Sequence, residues 1–132
     1  MRYIPHMANK PVVYAYSGCG TCRKALAWLA AQGVECDVRP IRETPPSVAE
    51  LDAALDQGLP LKSLCNVSGG DYKELNLKDK LPGMTRAQAV ALLASRGNLV
   101  KRPFVVHQGK YLTGFSEESF EAFFASDRRR RT

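Results

Sequence analysis

Hydrophobic positions change their spacing several times along the chain, and each spacing predicts an element. Val12-Val13-Tyr14-Ala15-Tyr16 is an apolar run of β-branched and aromatic residues, the make-up of a buried strand. Arg23 to Leu29 follows with the apolar face of a helix, which Gly33 can stop. Val34-Glu35-Cys36-Asp37-Val38 then alternates apolar and polar residues, as a half-buried strand does, and places Cys36 on a core face with Val34 and Val38. Thr44-Pro45-Pro46 breaks the chain. Ser47-Val48-Ala49-Glu50 is a capping box opening a second helix with Val48, Leu51 and Leu55 on its apolar face and Gly58 at its end.

From Leu59 to Leu81 the pattern shortens to helical or turn pieces around Gly69-Gly70. Thr85-Arg86-Ala87-Gln88 is another capping box, starting a helix that runs to about Arg96 and stops at Gly97. Pro103-Phe104-Val105-Val106 and Lys110-Tyr111-Leu112-Thr113 flank His107-Gln108-Gly109, predicting a hairpin with an exposed His107 at its turn. A final helix opens at Ser116. Glu117 and Glu118 suit its positive end, Phe115 and Phe120 hold the positions of a hydrophobic staple, and Phe120, Phe123 and Phe124 supply a core stripe. Strand, helix, strand, helical region, hairpin, helix is an α/β order: a parallel βαβ start whose sheet a hairpin extends with antiparallel strands. It predicts a thioredoxin-like fold with a mixed four-stranded sheet and a helical insertion.

Composition narrows the class. A chain of 132 residues fits one domain, expected over 11–126, between a loose leader at 1–10 and a basic disordered tail at 127–132. Arg128 to Arg131 supply most of the net charge of +6, so the body is nearly balanced and no direct nucleic-acid binding is expected. No apolar stretch reaches the length of a membrane span. The first ten residues lack a signal-peptide core, and with four cysteines this predicts a cytoplasmic protein, not a disulfide framework. One closely spaced cysteine pair, with no second ligand pair among Cys36, Cys65, His6 and His107, predicts no metal site. Cys65 reads as a buried small residue within a helical segment, and Trp28 as core.

The candidate chemistry sits in Cys19-Gly20-Thr21-Cys22, where the first strand hands over to the first helix. Free backbone N–H groups and the positive end of the helix dipole favour a thiolate there, which makes Cys19 the attacking atom and Cys22 the resolving one. Gly20 and Thr21 form a small linker between the sulfurs, and the Thr21 hydroxyl can donate to the thiolate. Three readings follow: a thiol–disulfide oxidoreductase, a redox switch that changes partner affinity without turnover, and an inert structural pair.

Three segments in order, Ser17-Gly18-Cys19-Gly20-Thr21-Cys22-Arg23-Lys24-Ala25, Leu64-Cys65-Asn66 with Ser68-Gly69 and Tyr72-Lys73-Glu74-Leu75, and Leu99-Val100-Lys101-Arg102-Pro103 with Gly114-Phe115-Ser116, resemble the arsenate-reductase-like ArsC/Spx family, closest to its Spx and thiol-reductase branch. The resemblance implies Cys19 as nucleophile, a cis peptide before Pro103, and Arg102 as an anion partner beside the thiol loop. It implies no bound cofactor, with glutathione or a thioredoxin or glutaredoxin system as electron donor, and a thiol or disulfide substrate or redox protein as partner. Where arsenate reductases of the family carry two further arginines, this chain has Asn66, expected with Pro103 to support the thiol loop or else to cap a turn, and Gly114; neither neutralises an anion. The alternative that the resemblance carries is an Spx-type regulator that binds RNA polymerase and is switched by a Cys19–Cys22 disulfide.

Overall fold

The computed structural model describes the backbone from Lys10 to Arg131 and side chains as far as Ala125. The leader expected at 1–10, apart from Lys10, and the side chains of the basic tail expected at 127–132 lie outside these residues.

A mixed four-stranded sheet in the order β2-β1-β3-β4 carries the fold. β1 (Val12–Ala15) pairs in parallel with β2 (Asp37–Pro40) and antiparallel with β3 (Phe104–His107), which pairs antiparallel with β4 (Lys110–Thr113). The parallel pair is joined by α1 (Gly20–Ala31). Helices α2 (Val48–Asp56), α3 (Gly70–Glu74), α4 (Leu77–Lys80) and α5 (Arg86–Ser95) lie between β2 and β3 in the chain, and α6 (Glu117–Arg131) closes it. The fold is thioredoxin-like, with the helical region inserted before the hairpin.

Alternation along the two central strands divides the core in two. Val13, Ala15 and Val105 pack with Cys22, Trp28, Leu29, Phe120 and Phe124 under α1 and α6. Tyr14 and Phe104 point the other way, into a cluster with Ile41, Leu51, Leu64, Leu93 and Leu99. The sheet is thus covered on both faces, and its inner strands are buried throughout except at Val12 and Val106. Trp28 is a core residue, edge-on to Phe120 at 5.6 Å. Both capping boxes form: the Ser47 and Thr85 hydroxyls accept from the Glu50 and Gln88 amides, and each acid or amide side chain reaches back to the cap. The staple forms too, with the Phe115 and Phe120 rings 4.8 Å apart.

Four expectations need correction. The second strand begins at Asp37, later than Val34, and Val38 is 49% exposed. Val38 shares a face with its register partner, the buried Val13, but β2 is the edge strand and Val38 is left uncovered there. Val34 and Cys36 do pack against the α1–α6 cluster, from the chain leading into β2. Val48 is 47% exposed, because the buried face of α2 is carried by Leu51 and Ala54. His107 is buried, with its ring 5.6 Å from that of Phe124. The hairpin turn needs only Gln108 and Gly109, at φ 52° and 76°, so His107 is the last strand residue and shares the inward face of Val105. Finally, Cys65 caps the short 3₁₀ turn Leu61–Leu64 and bridges to Val100.

Candidate active site

β1 ends at Ala15, and Tyr16-Ser17-Gly18 turns the chain into α1. The Cys19 amide donates to the Tyr16 carbonyl at 3.0 Å, closing the turn. Cys19 then stands as the N-cap of α1 in extended conformation, a place usually taken by an oxygen side chain. Its sulfur accepts from the Cys22 amide at 3.3 Å, so a thiol does the capping and a thiolate does it better. The loop is further pinned by Arg23, whose guanidinium donates to the Ser17 carbonyl at 3.0 Å. Gly18 is required by close approach: a Cβ there would stand 2.6 Å from the Tyr16 ring, which lies over it. At Gly20, by contrast, an added Cβ would meet only the Arg23 guanidinium, at an ordinary 3.9 Å.

The two sulfurs are placed in opposite electrostatic settings. Burial is the largest single influence on Cys19 and disfavours its thiolate. The Cys22 amide, the Cys22 thiol, the Thr21 amide and the Arg102 charge together overcome it, and the pKa falls below the ordinary thiol value of 9.0. Cys22 is buried, and burial with the neighbouring Cys19 pushes it up to about 11, against the opposing pull of the Tyr16 backbone and Arg102. When the pair holds a single proton, that proton therefore sits preferentially on Cys22. It is the Thr21 amide, not its hydroxyl, that acts on the Cys19 sulfur.

Arg102 comes from the other end of the chain. The Arg102–Pro103 peptide is cis, and Pro103 is buried at the start of β3. The Arg102 guanidinium donates to the Gly97 carbonyl at 2.9 Å and the Val100 carbonyl at 3.3 Å, which fixes it within electrostatic reach of both sulfurs. Asn66 does not join the thiols through any hydrogen bond; its amide donates to the Asn98 carbonyl at 3.1 Å and braces the segment that carries Arg102. Gly114 is at φ 74°, where a side chain would be strained. Cys65 is buried, raised to about 11 by burial, and its thiol donates to the Leu61 carbonyl, the behaviour of a small core residue.

Two neighbours escape a reading of motifs. The Tyr16 ring has the Arg42 guanidinium 4.8 Å from its centroid and that of Arg102 at 6.0 Å. The parallel pairing contains the signal for this. Ile41 donates to the Ala15 carbonyl, so residues just beyond β2 run beside those just beyond β1. Tyr16 also borders a groove of about 320 Å³ whose other walls include Cys22, Leu26, Val38 and Glu43. No group of three or more potential metal ligands occurs among the described residues.

The depressed Cys19 pKa has a direct consequence. Alkylation of Cys19 by iodoacetamide, followed by peptide mass spectrometry, rises with pH to a plateau, with its midpoint below pH 9.0. Thiolate is the reactive form, so the plateau marks the end of Cys19 ionisation. Arg102→Ala moves that plateau to higher pH, because removing a positive charge disfavours the anion. An unmoved plateau would detach Arg102 from the site.

A cysteine thus caps the first helix of a thioredoxin-like sheet, with an arginine before a cis-proline in electrostatic reach of it. The ArsC family profile matches residues 14–123, and the chain belongs to that family. YusI of Bacillus subtilis (strain 168) is 47% identical over 85% of this chain and 96% of its own. An ArsC-family-related crystal structure from Bacteroides fragilis superposes with a TM-score of 0.81 at 45% identity, covering 86% of this chain and 96% of that one. Relatives named for distinct functions lie further off. The arsenate reductase of Rhizobium meliloti (strain 1021) is 33% identical over 71% of this chain and 66% of its own. The global transcriptional regulator Spx of Enterococcus faecalis (strain ATCC 700802 / V583) is 26% identical over 87% and 86%. No helix among the described residues is long and apolar enough to cross a membrane.

Proposed function

We propose that this protein is a thiol–disulfide oxidoreductase with Cys19 as nucleophile, Cys22 as resolving thiol and Arg102 stabilising the thiolate. The observation that carries the reading is the split between the sulfurs: Cys19 is depressed and Cys22 raised to about 11 within one turn of a helix N-terminus. In the first step the Cys19 thiolate attacks one sulfur of a substrate disulfide. A Cys19–substrate disulfide forms, the substrate S–S bond breaks, and one substrate thiolate leaves. Cys22 then attacks the Cys19 sulfur, giving up its proton to the departing thiolate or to water. The second substrate thiol is released, and Cys19 and Cys22 are joined. Two electrons from outside, supplied by two glutathione molecules or by a thioredoxin or glutaredoxin dithiol, restore the pair.

Arsenate is a poor candidate substrate. A tetrahedral oxyanion is best held by several guanidinium forks, and Asn66 and Gly114 offer none. The expected result is steady turnover of hydroxyethyl disulfide in the presence of glutathione and glutathione reductase, read as NADPH consumption, with arsenate reduced far more slowly. Absence of turnover, together with a Cys19–Cys22 disulfide forming under mild peroxide, would replace this reading with a redox switch. The regulator among the relatives, Spx, is what favours that second reading, with RNA polymerase as the partner to try.

A further inference from the structure

Tyr16 carries more than a strand end requires. Its ring covers Gly18 on the thiol loop, and two guanidinium groups meet it, Arg42 at 4.8 Å and Arg102 at 6.0 Å. Burial chiefly makes it harder for Arg102 to hold its charge, the two sulfurs oppose this, and Arg42 is close enough to add to the burden. Gathering like charges on one ring is unfavourable unless something offsets it. Among the described residues no carboxylate lies within 4.0 Å of either guanidinium, as the ion pairs are made by Arg39, Arg86 and Arg96. Arg42 is exposed while Arg102 is half-buried, so positive charge extends from within reach of the sulfurs out to solvent. Glu43 lines the groove next to Cys22, which keeps an anion off that side.

We infer that Arg42, held on Tyr16, is a specificity residue that selects disulfides bearing a carboxylate close to the S–S bond. The inference rests on the proposed exchange reaction and adds the substrate class to it. The carboxylate lies against the exposed Arg42 fork while the reacting sulfur reaches Cys19, and the aromatic ring supplies the floor between them. Bidentate contact from a planar guanidinium gives direction as well as attraction. Arg102 keeps its carbonyl contacts and serves the thiolate, so the two arginines divide the work by depth.

The test uses two aromatic disulfides that react with a thiolate in the same way: the S–S bond breaks, a mixed disulfide with Cys19 forms, and one coloured thiol leaves. Dithiobis(nitrobenzoate) bears carboxylates and dithiodipyridine bears none. Initial rates are measured on the reduced full chain, with the modified cysteine identified by peptide mass spectrometry. Arg42→Gln slows modification of Cys19 by dithiobis(nitrobenzoate) about tenfold and leaves dithiodipyridine unchanged, the scale of one charge-assisted hydrogen bond. Arg42→Lys, which keeps the charge and loses the fork, recovers part of the rate. An equal slowing with both reagents would make Arg42 a prop for Tyr16, and no slowing with either would remove it from the site; each overturns the inference. If dithiodipyridine modifies Cys36 or another cysteine ahead of Cys19, the oxidoreductase reading falls. The ratio of the two rates at Cys19 still decides the role of Arg42.

Discussion

Cys19→Ser abolishes disulfide turnover, by about a thousandfold or more, whereas Cys22→Ser stops the reaction one step later. The reason is chemical. A serine hydroxyl at position 19 can cap α1 as well as the thiol does, accepting from the Cys22 amide, so the fold is kept. What is lost is a nucleophile whose ionisation is drawn below the ordinary thiol value; none of the influences that depress a thiol can bring an alcohol into that range. Cys22→Ser leaves Cys19 ionisable and the attack intact, but no internal thiol remains to break the mixed disulfide. The protein then accumulates with one substrate sulfur covalently bound, and one equivalent of substrate thiol appears in a burst. Intact mass spectrometry under non-reducing conditions reads the adduct, and its removal by excess glutathione shows that an external thiol can take over from Cys22. Unchanged turnover in Cys19→Ser would place the chemistry elsewhere. A Cys22→Ser protein that neither bursts nor holds an adduct would leave Cys19 as a cap and nothing more.

The strands and helices were legible where local signals are strong and self-contained. Two capping boxes marked the starts of α2 and α5, because each needs only four residues to close its hydrogen bonds. The run at Val12 identified β1, and the hairpin followed from two short strands around a turn. Local pattern misleads where the outcome depends on what covers a residue. Val38 alternates correctly with its neighbours, but alternation cannot tell that β2 is an edge. His107 looked like a turn residue because the pattern does not give the length of the turn; once the turn is Gln108 and Gly109, the pairing with Lys110 sends His107 inward. The site divides in the same way. Cys19 and Cys22 are neighbours in the chain and could be read directly. Arg102 required the resemblance, since a lone arginine before a proline has no local signature of chemistry. Tyr16 and Arg42 met only through the parallel register of β1 and β2, and nothing in either residue's own neighbourhood announces that.

Gly97→Ala destabilises the protein by about 3 kcal/mol, at the upper end of ordinary overpacking, and disturbs the thiols at the same time. Position 97 reads in the sequence as a helix stop. In the fold it is buried, at the start of the 3₁₀ turn Gly97–Leu99, and a Cβ would collide with the Ile41 carbonyl oxygen, stand 2.7 Å from the Ile41 carbonyl carbon and 2.8 Å from the Arg42 Cα. These are backbone atoms held by the sheet, since Ile41 donates to the Ala15 carbonyl, so no side-chain rotation relieves the overlap. One of the two segments must move. Either movement reaches the active site: Gly97 supplies the carbonyl that the Arg102 guanidinium donates to at 2.9 Å, and Ile41 leads into Arg42. The expected result is a lower urea midpoint with an unchanged slope, and a Cys19 alkylation plateau shifted to higher pH as Arg102 loses its place. Gly70→Ala is the matched control. That glycine begins α3 and has nothing within 4 Å of an added Cβ, so the change is neutral or slightly stabilising and leaves the Cys19 plateau where it was. A Gly97→Ala protein as stable as the control would mean that the chain at Ile41 and Arg42 yields freely, and the Arg42–Tyr16 contact would then be too loose to select a substrate.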